Sequence, residues 1–379
     1  MVKITEINKK LEPEKPVQLI FKYISKLEKE KNIDNVLIVL SEMARELIES
    51  DRCTLWMYNE EKNIFWTKIA HGLTETIEVP GDKGTIGLAK NENRAFIIQE
   101  PYKHASFNPD VDEKTGYETS NLMVVPIRNI HNEVIGVYQS INKKEGEFSE
   151  YDLNFLKLVA GYSSEIIESA LLYQEIEDTQ KEVIFRMGDI AEAKSRETGN
   201  HIKRVAEYTR ILSKEYGLPG SEVELATLAS PMHDIGKIAI PDGILHKPGR
   251  LTPEEFDVIK THSTVGWNLL KFSKRKILKA ASVIAYEHHE KWNGKGYPRG
   301  LAGEDIHIYG RILGIADVFD ALISDRCYKK AWPLEKVVKL FEEERGQHFD
   351  PDLTDIFLNN VDQFVAIKDN YLDEFTYTS

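Results

Sequence analysis

Cysteine is scarce: Cys53 and Cys327 are the two in a chain of 379 residues. Two thiols cannot build a disulfide framework and no C-x-x-C pair is present, which fits a reducing compartment. Long apolar runs are absent as well. No window approaches the ~18 consecutive apolar residues of a membrane span, and Met1-Val2-Lys3-Ile4-Thr5-Glu6 leads into Lys and Glu rather than into the apolar core of a signal peptide. The expectation is a cytoplasmic protein with no membrane span. Positive charge is in deficit, 49 Lys and Arg against 62 Asp and Glu, for a net charge of −13. That balance disfavours broad attraction to a nucleic-acid polymer or an anionic membrane, so a phosphate substrate would need locally placed cations. With 23 Gly, 14 Pro and 41% hydrophobic residues the chain is neither collagenous nor low in complexity. At about one domain per ~150 residues it holds two or three domains.

Patterning changes near Leu153. Before it, Asn35–Ile48 reads as an amphipathic helix, followed by strand-like runs at Cys53–Tyr58, Ile64–Ala70, Thr76–Pro80, Ala95–Gln99, Leu122–Ile130 and Val134–Asn142. This predicts an antiparallel α+β module with a hairpin turn at Arg128–Glu133. From Ser149 the pattern is helical to about Ala193. Leu156, Val159, Ser163, Ile166 and Ala170 recur at spacings of 3 and 4, a seam that predicts a homodimer through this helix. Ser221-Glu222-Val223-Glu224 and Thr252-Pro253-Glu254-Glu255 read as capping boxes, and Gly217 as a helix stop. Asn293–Glu304, rich in Gly, must be a loop.

Five of the 11 histidines stand out. His201 shares a helical face with Val205, Tyr208 and Leu212, and His262 shares one with Val258, Val265 and Leu269; His288 follows Ala281, Ile284 and Ala285. His233 adjoins Asp234, and His288 adjoins His289. One imidazole on an apolar face is ordinarily a satisfied core residue, but several buried together leave ring nitrogens that a divalent cation satisfies, with acids balancing charge. Asp317 adds a carboxylate among small neighbours, and Glu197 lies four residues before His201. Mixed N/O ligation without cysteine suits iron, manganese or zinc. Eight candidate ligands are too many for one metal; two or three, bridged by Asp234, would use them and could activate water and clamp a phosphoryl group. Lys237, one turn after Asp234, and Arg326, Lys329 and Lys330 supply local positive charge.

His233-Asp234-Ile235-Gly236-Lys237, Pro241-Asp242-Gly243-Ile244-Leu245, His288-His289-Glu290 and Gly296-Tyr297-Pro298 together resemble the HD-GYP subgroup of HD-domain phosphohydrolases, from about Met187 to Phe349. The resemblance implies an all-α domain and a metal-dependent phosphodiesterase that hydrolyses cyclic di-GMP to pGpG and GMP. It implies metal ligands at His201, His233, Asp234, His262, His288, His289 and Asp317, with Glu197 for a third metal. It further implies substrate contacts from Lys237, Tyr297, Arg326 and Lys329, with Asp234 and Lys237 central to catalysis. Two or three divalent metals are expected, iron or manganese favoured. Two positions depart from the family pattern: Asn293 stands where Asp is usual and Cys327 where Pro is usual.

Asp51-Arg52-Cys53-Thr54-Leu55, Phe107-Asn108-Pro109-Asp110-Val111-Asp112, Val125-Pro126-Ile127 and Val134-Ile135-Gly136-Val137 resemble a GAF domain, a sensory fold with a six-stranded antiparallel sheet. Asn142-Lys143…Phe148-Ser149-Glu150-Tyr151-Asp152 follows the pattern of cyclic-nucleotide-binding GAF domains until Leu153 replaces its final acid. A Lys143–Asp152 pair pinning strand to helix explains the same residues equally well. The expected organisation is multidomain: a helical extension over 1–34, an α+β GAF domain over 35–172 with an unknown ligand, a connecting helix over 173–186, and an all-α HD-GYP domain over 187–379. The alternatives are a catalytically silent cyclic-dinucleotide sensor or scaffold, and a phosphohydrolase for another nucleotide.

Overall fold

The computed structural model describes residues 15–68, 76–109, 112–113, 116–195, 199–324 and 330–371. Glu197, Arg326, Cys327 and Lys329 lie outside them. The chain divides into two compact units, Met1–Asp178 and Thr179–Ser379.

In the first unit α1 (Lys15–Leu27) and α2 (Ile33–Leu47) precede a six-stranded antiparallel sheet in the order β3-β2-β1-β6-β5-β4. Its strands are β1 (Ser50–Asn59), β2 (Ile64–Lys68), β3 (Thr76–Pro80), β4 (Phe96–Ile98), β5 (Leu122–Arg128) and β6 (Val134–Lys143). The β5–β6 hairpin closes where the sequence places it. Asn132 takes a left-handed φ of 63°, and the Asn129 side chain accepts from the amides of His131 and Glu133. Both faces of β5 are covered. Met123, Val125 and Ile127 face a core shared with α1 and α2, while Leu122 and Val124 face a smaller core that also holds Ile86 and Ala89 of α3 (Gly84–Glu92).

A single 46-residue helix, α4 (Glu150–Ser195), runs from the first unit into the second. Ser149 and Asp152 cap its start reciprocally: the Ser149 amide donates to Asp152 Oδ2 at 2.9 Å and the Asp152 amide to Ser149 Oγ at 3.3 Å. Lys143 ties β6 to this cap, donating to Asp152 Oδ1 at 2.9 Å and to the Ile48 carbonyl at 2.6 Å. The pair has a structural job.

The seam expected to face a second chain is instead covered from within. Leu156, Val159 and Ala170 belong to the core beneath the sheet, Ile166 packs against it, and Ser163 accepts or donates a 2.8 Å hydrogen bond with Tyr138 Oη. The exposed apolar residues of α4 are others, among them Leu158, Tyr162, Leu172, Ile176, Val183 and Ile190.

The second unit is helical among its described residues. Its longer helices are α5 (Gly199–Glu215), α6 (Gly220–Ala229), α7 (Pro253–Leu270), α8 (Lys276–Glu287), α9 (Ile308–Ile323), α10 (Leu334–Glu343), α11 (Pro351–Asn359) and α12 (Val361–Asn370), with a single helical turn at Asp242–Leu245. Tyr208, Phe319, Phe357 and Phe364 interlock at ring distances of 4.8–5.4 Å, which joins α5, α9, α11 and α12. Gly217 (φ 87°) ends α5, and the Leu218 amide reaches back to the Ser213 carbonyl. Thr252 and Glu255 form the expected capping box on α7. The box expected at Ser221 does not form: α6 begins at Gly220 behind Pro219, whose side chain offers no cap. No helix among the described residues is long and apolar enough to cross a membrane.

Candidate metal centre

Two of the five candidate histidines lie inside α-helices. His201 sits in the first turn of α5, with Val205, Tyr208 and Leu212 buried behind it. His262 is on α7, but its buried face differs from the expected one: Ser263, Gly266 and Leu270 point inward while Leu269 is exposed. Small residues are needed there because the 235–239 turn crosses α7 closely. A Cβ on Gly236 would stand 1.9 Å from the His262 carbonyl oxygen, so the glycine of His-Asp-Ile-Gly-Lys is a packing requirement. His233 and Asp234 occupy a turn between two 3₁₀ segments, and His288 and His289 follow the end of α8.

The rings are oriented from behind. His233 Nδ1 donates to the Ser230 carbonyl (2.9 Å), His262 Nδ1 to that of Ile259 (2.7 Å) and His288 Nδ1 to that of Ile284 (3.0 Å). A carbonyl oxygen only accepts, so each Nδ1 carries a proton, and a ring in its neutral form turns an Nε2 lone pair inward. His201 Nδ1 meets Asp320 Oδ2 at 2.8 Å, and Asp320 is held in turn by Arg204, whose Nε and Nη2 lie 2.7 and 2.9 Å from the carboxylate. Burial works against the Asp320 charge, yet His201 and Arg204 hold its carboxyl down at about 2. This Arg–Asp–His relay was missed in the sequence, although Arg204 follows His201 by three residues and Asp320 follows Asp317 by three.

Inward, Asp234 is the hub. Its Oδ1 lies 3.1 Å from His262 Nε2 and 3.8 Å from His288 Nε2, and its Oδ2 lies 3.3 Å from His233 Nε2 and 2.7 Å from Lys237 Nζ. Asp317 Oδ1 approaches His201 Nε2 at 3.7 Å. The ligand atoms fall into two groups, each mutually within 4.8 Å: Asp234, His262, His288 and His289, and Glu192, His201 and His233. Glu192, on the last turn of α4, was not foreseen; it is 1% exposed.

The donor set fits divalent metals. His262 and His288 Nε2 face each other at 3.5 Å with both Nδ1 protons committed to carbonyls, so in their neutral forms two lone pairs would oppose. The buried Nε2 of His233 makes no aligned hydrogen bond. A cation removes both penalties. Burial depresses His288 to about 3 and holds His289 well below the usual imidazole range, keeping both in the ligating form. Burial would lower His233 too, but Asp234 outweighs it and raises that ring to about 10. Asp234 stays ionised despite burial because Lys237 and His233 surround it.

The Gly296-Tyr297-Pro298 loop closes over this cluster. A Cβ on Gly296 would stand 2.3 Å from the Lys291 amide nitrogen, and the buried Glu290 carboxylate accepts from the amides of Arg299 (2.7 Å) and Leu301 (3.0 Å). The Tyr297 ring thereby lies 4.7 Å from that of His289. Asn293 keeps a turn-forming role, with Oδ1 accepting from the Lys295 amide at 3.0 Å. The structure thus brings together His201, His233, Asp234, His262, His288, His289, Asp317, Lys237 and Tyr297.

Residues 32–164 match the family model described as GAF domain, and residues 186–353 match the one described as HD domain. The chain joins a GAF domain to an HD domain. The 3'3'-cGAMP-specific phosphodiesterase 2 of Vibrio cholerae is 43% identical over 224 residues, 59% of this chain and 43% of that protein. A cyclic di-GMP phosphodiesterase of Thermotoga maritima is 40% identical over 204 residues, 54% of this chain and 55% of that protein. The cyclic di-GMP phosphodiesterase response regulator RpfG of Xanthomonas campestris is 38% identical over 193 residues, 51% of each. The chain spans about half the length of these curated relatives, and the residues matched to the HD domain carry both groups that could hold a metal.

Proposed function

We propose that this chain is a metal-dependent phosphodiesterase that hydrolyses cyclic di-GMP to pGpG and GMP under the control of its GAF domain. The observation that carries the reading is the convergence of four inward Nε2 atoms, from His201, His233, His262 and His288, around Asp234 and Asp317 with Lys237 at 2.7 Å. His201, His233, Asp234, His262, His288, His289 and Asp317 would hold two metals, iron or manganese favoured by the mixed imidazole and carboxylate set; Glu197 would serve a third. Divalent metals bound there supply Lewis acidity to a phosphoryl group and acidify a water. Asp234 would be the carboxylate shared between the cations, and Lys237 would donate to a phosphoryl oxygen as charge develops. Tyr297 lines the substrate side, and Arg326 and Lys329 take the second phosphate.

A second cyclic dinucleotide is the rival substrate, since the relatives are named for both cyclic di-GMP and 3'3'-cGAMP. Turnover of both by anaerobically purified, metal-analysed protein decides between them. Lys237→Ala should lower turnover by roughly 10²-fold with metal content unchanged; unaltered turnover removes the lysine from the mechanism. The chain is further read as a homodimer through α4, by way of its exposed stripe.

A further inference from the structure

We propose that Glu192 is a positioning residue for Lys237, the anion that keeps the lysine ammonium at the edge of the metal centre once Asp234 is engaged by metal. The inference rests on the phosphodiesterase reading for Lys237 and on geometry for Glu192. In this structure Lys237 Nζ lies 2.7 Å from Asp234 Oδ2, 3.7 Å from Glu192 Oε1 and 3.4 Å from Ser195 Oγ. Asp234 is also the carboxylate that His233, His262 and His288 surround. Divalent cations held by Asp234 would compete with Lys237 for its carboxylate and would repel the ammonium. Glu192 and Ser195, both on the last turn of α4, lie close enough to hold it.

The seat is built. Glu192 is 1% exposed, so a carboxylate charge there would act in a low-dielectric setting where a neighbouring ammonium counts most. Gly188, one turn earlier, lets α4 press against the segment that carries His233, since a Cβ there would stand 2.6 Å from the Pro231 carbonyl oxygen. The backbone around Glu192 and the turn bearing Lys237 are thereby fixed against each other.

The test is a double-mutant cycle on the full, metal-loaded chain, read as affinity for inorganic phosphate by calorimetry, with metal content measured on every variant. Glu192→Gln should weaken phosphate binding by about tenfold, the size of one charge-assisted contact, with metal stoichiometry unchanged. Glu192→Asp should recover part of the loss. In a Lys237→Ala background Glu192→Gln should cost nothing further, because the glutamate acts through the lysine. Loss of metal from Glu192→Gln makes it a ligand, additive losses make it independent of Lys237, and unchanged affinity makes it idle; each overturns the proposal. Turnover of cyclic di-GMP by the unmodified chain is scored separately. Its absence refutes the substrate reading and leaves the phosphate cycle to judge Glu192.

Discussion

An imidazole that donates Nδ1–H to a carbonyl can offer a metal its Nε2 alone, and only when that nitrogen is deprotonated; His233, His262 and His288 are all held in that orientation. Metal uptake then has a proton signature. His233 is held protonated up to about 10 by Asp234 against the effect of burial, while a metal takes only the neutral ring. Near pH 7.5 uptake should therefore expel a proton from His233, and affinity should fall as the solution is made more acidic. His288, depressed to about 3, adds none. Calorimetric titration in two buffers of different ionisation enthalpy measures the release, and identical heats in both would refute the assignment. At this scale the sequence was legible wherever an imidazole or acid sat beside another ligand type or among buried apolar neighbours. Arg204 and Asp320 escaped because a buried ion pair has no periodic trace of its own, and Glu192 because α4 carries Glu175, Glu177, Asp178, Glu182 and Asp189 on its way there. Its distinguishing mark was position, four residues after Gly188 and eight after the buried Ile184.

Among the elements, α4 is governed at its start by Asp152. The carboxylate caps the helix and pairs with Lys143, and its pKa is lowered because that pair and the Ser149 hydrogen bonds outweigh burial. A depressed folded-state pKa contributes stability above the unfolded value and loses it as pH falls through the folded one. Asp152→Asn should therefore destabilise the GAF domain by about 1–3 kcal/mol at neutral pH, and the difference from the unmodified chain should shrink below about pH 4. Denaturant midpoints at pH 7 and pH 3 check it; a penalty equal at both would show that the cap geometry matters and the charge does not. The same helix shows why periodicity reads a covered face without naming the cover. Leu156, Val159, Ser163, Ile166 and Ala170 repeat at 3 and 4 because the sheet's own core demands it, and a coiled-coil partner would have written the same spacing. On α7 the inward stripe was misread for a related reason: close approach selects Ser263 and Gly266, which a hydrophobicity pattern passes over.

Across the whole chain, α4 is one unbroken element from the cap at Ser149 and Asp152 to Glu192 and Ser195 beside Lys237. Leu158, Tyr162, Leu172, Ile176, Val183 and Ile190 stay exposed along it at offsets of 4, 10, 4, 7 and 7, all in one 3.5-residue phase. That phase fits a second copy of the same helix, so Ile176→Glu should weaken association where a change at the partly covered Ile166 would disturb the GAF core instead. Light scattering at micromolar concentration measures it, and an unmodified monomer would end the dimer reading. Regulation through such a helix requires that a GAF ligand favour one of two helix arrangements. Two residues inserted near Thr179 would turn everything beyond by about 200°, and seven would nearly restore phase. The first insertion should change basal turnover or abolish its response to GAF occupancy, and the second should be milder. If both leave turnover and response intact, helix-borne signalling is wrong and the GAF domain contributes association alone. If the two-residue insertion alters turnover in a Glu192→Gln background as strongly as in the unmodified chain, the signal reaches the site by another route than the end of α4.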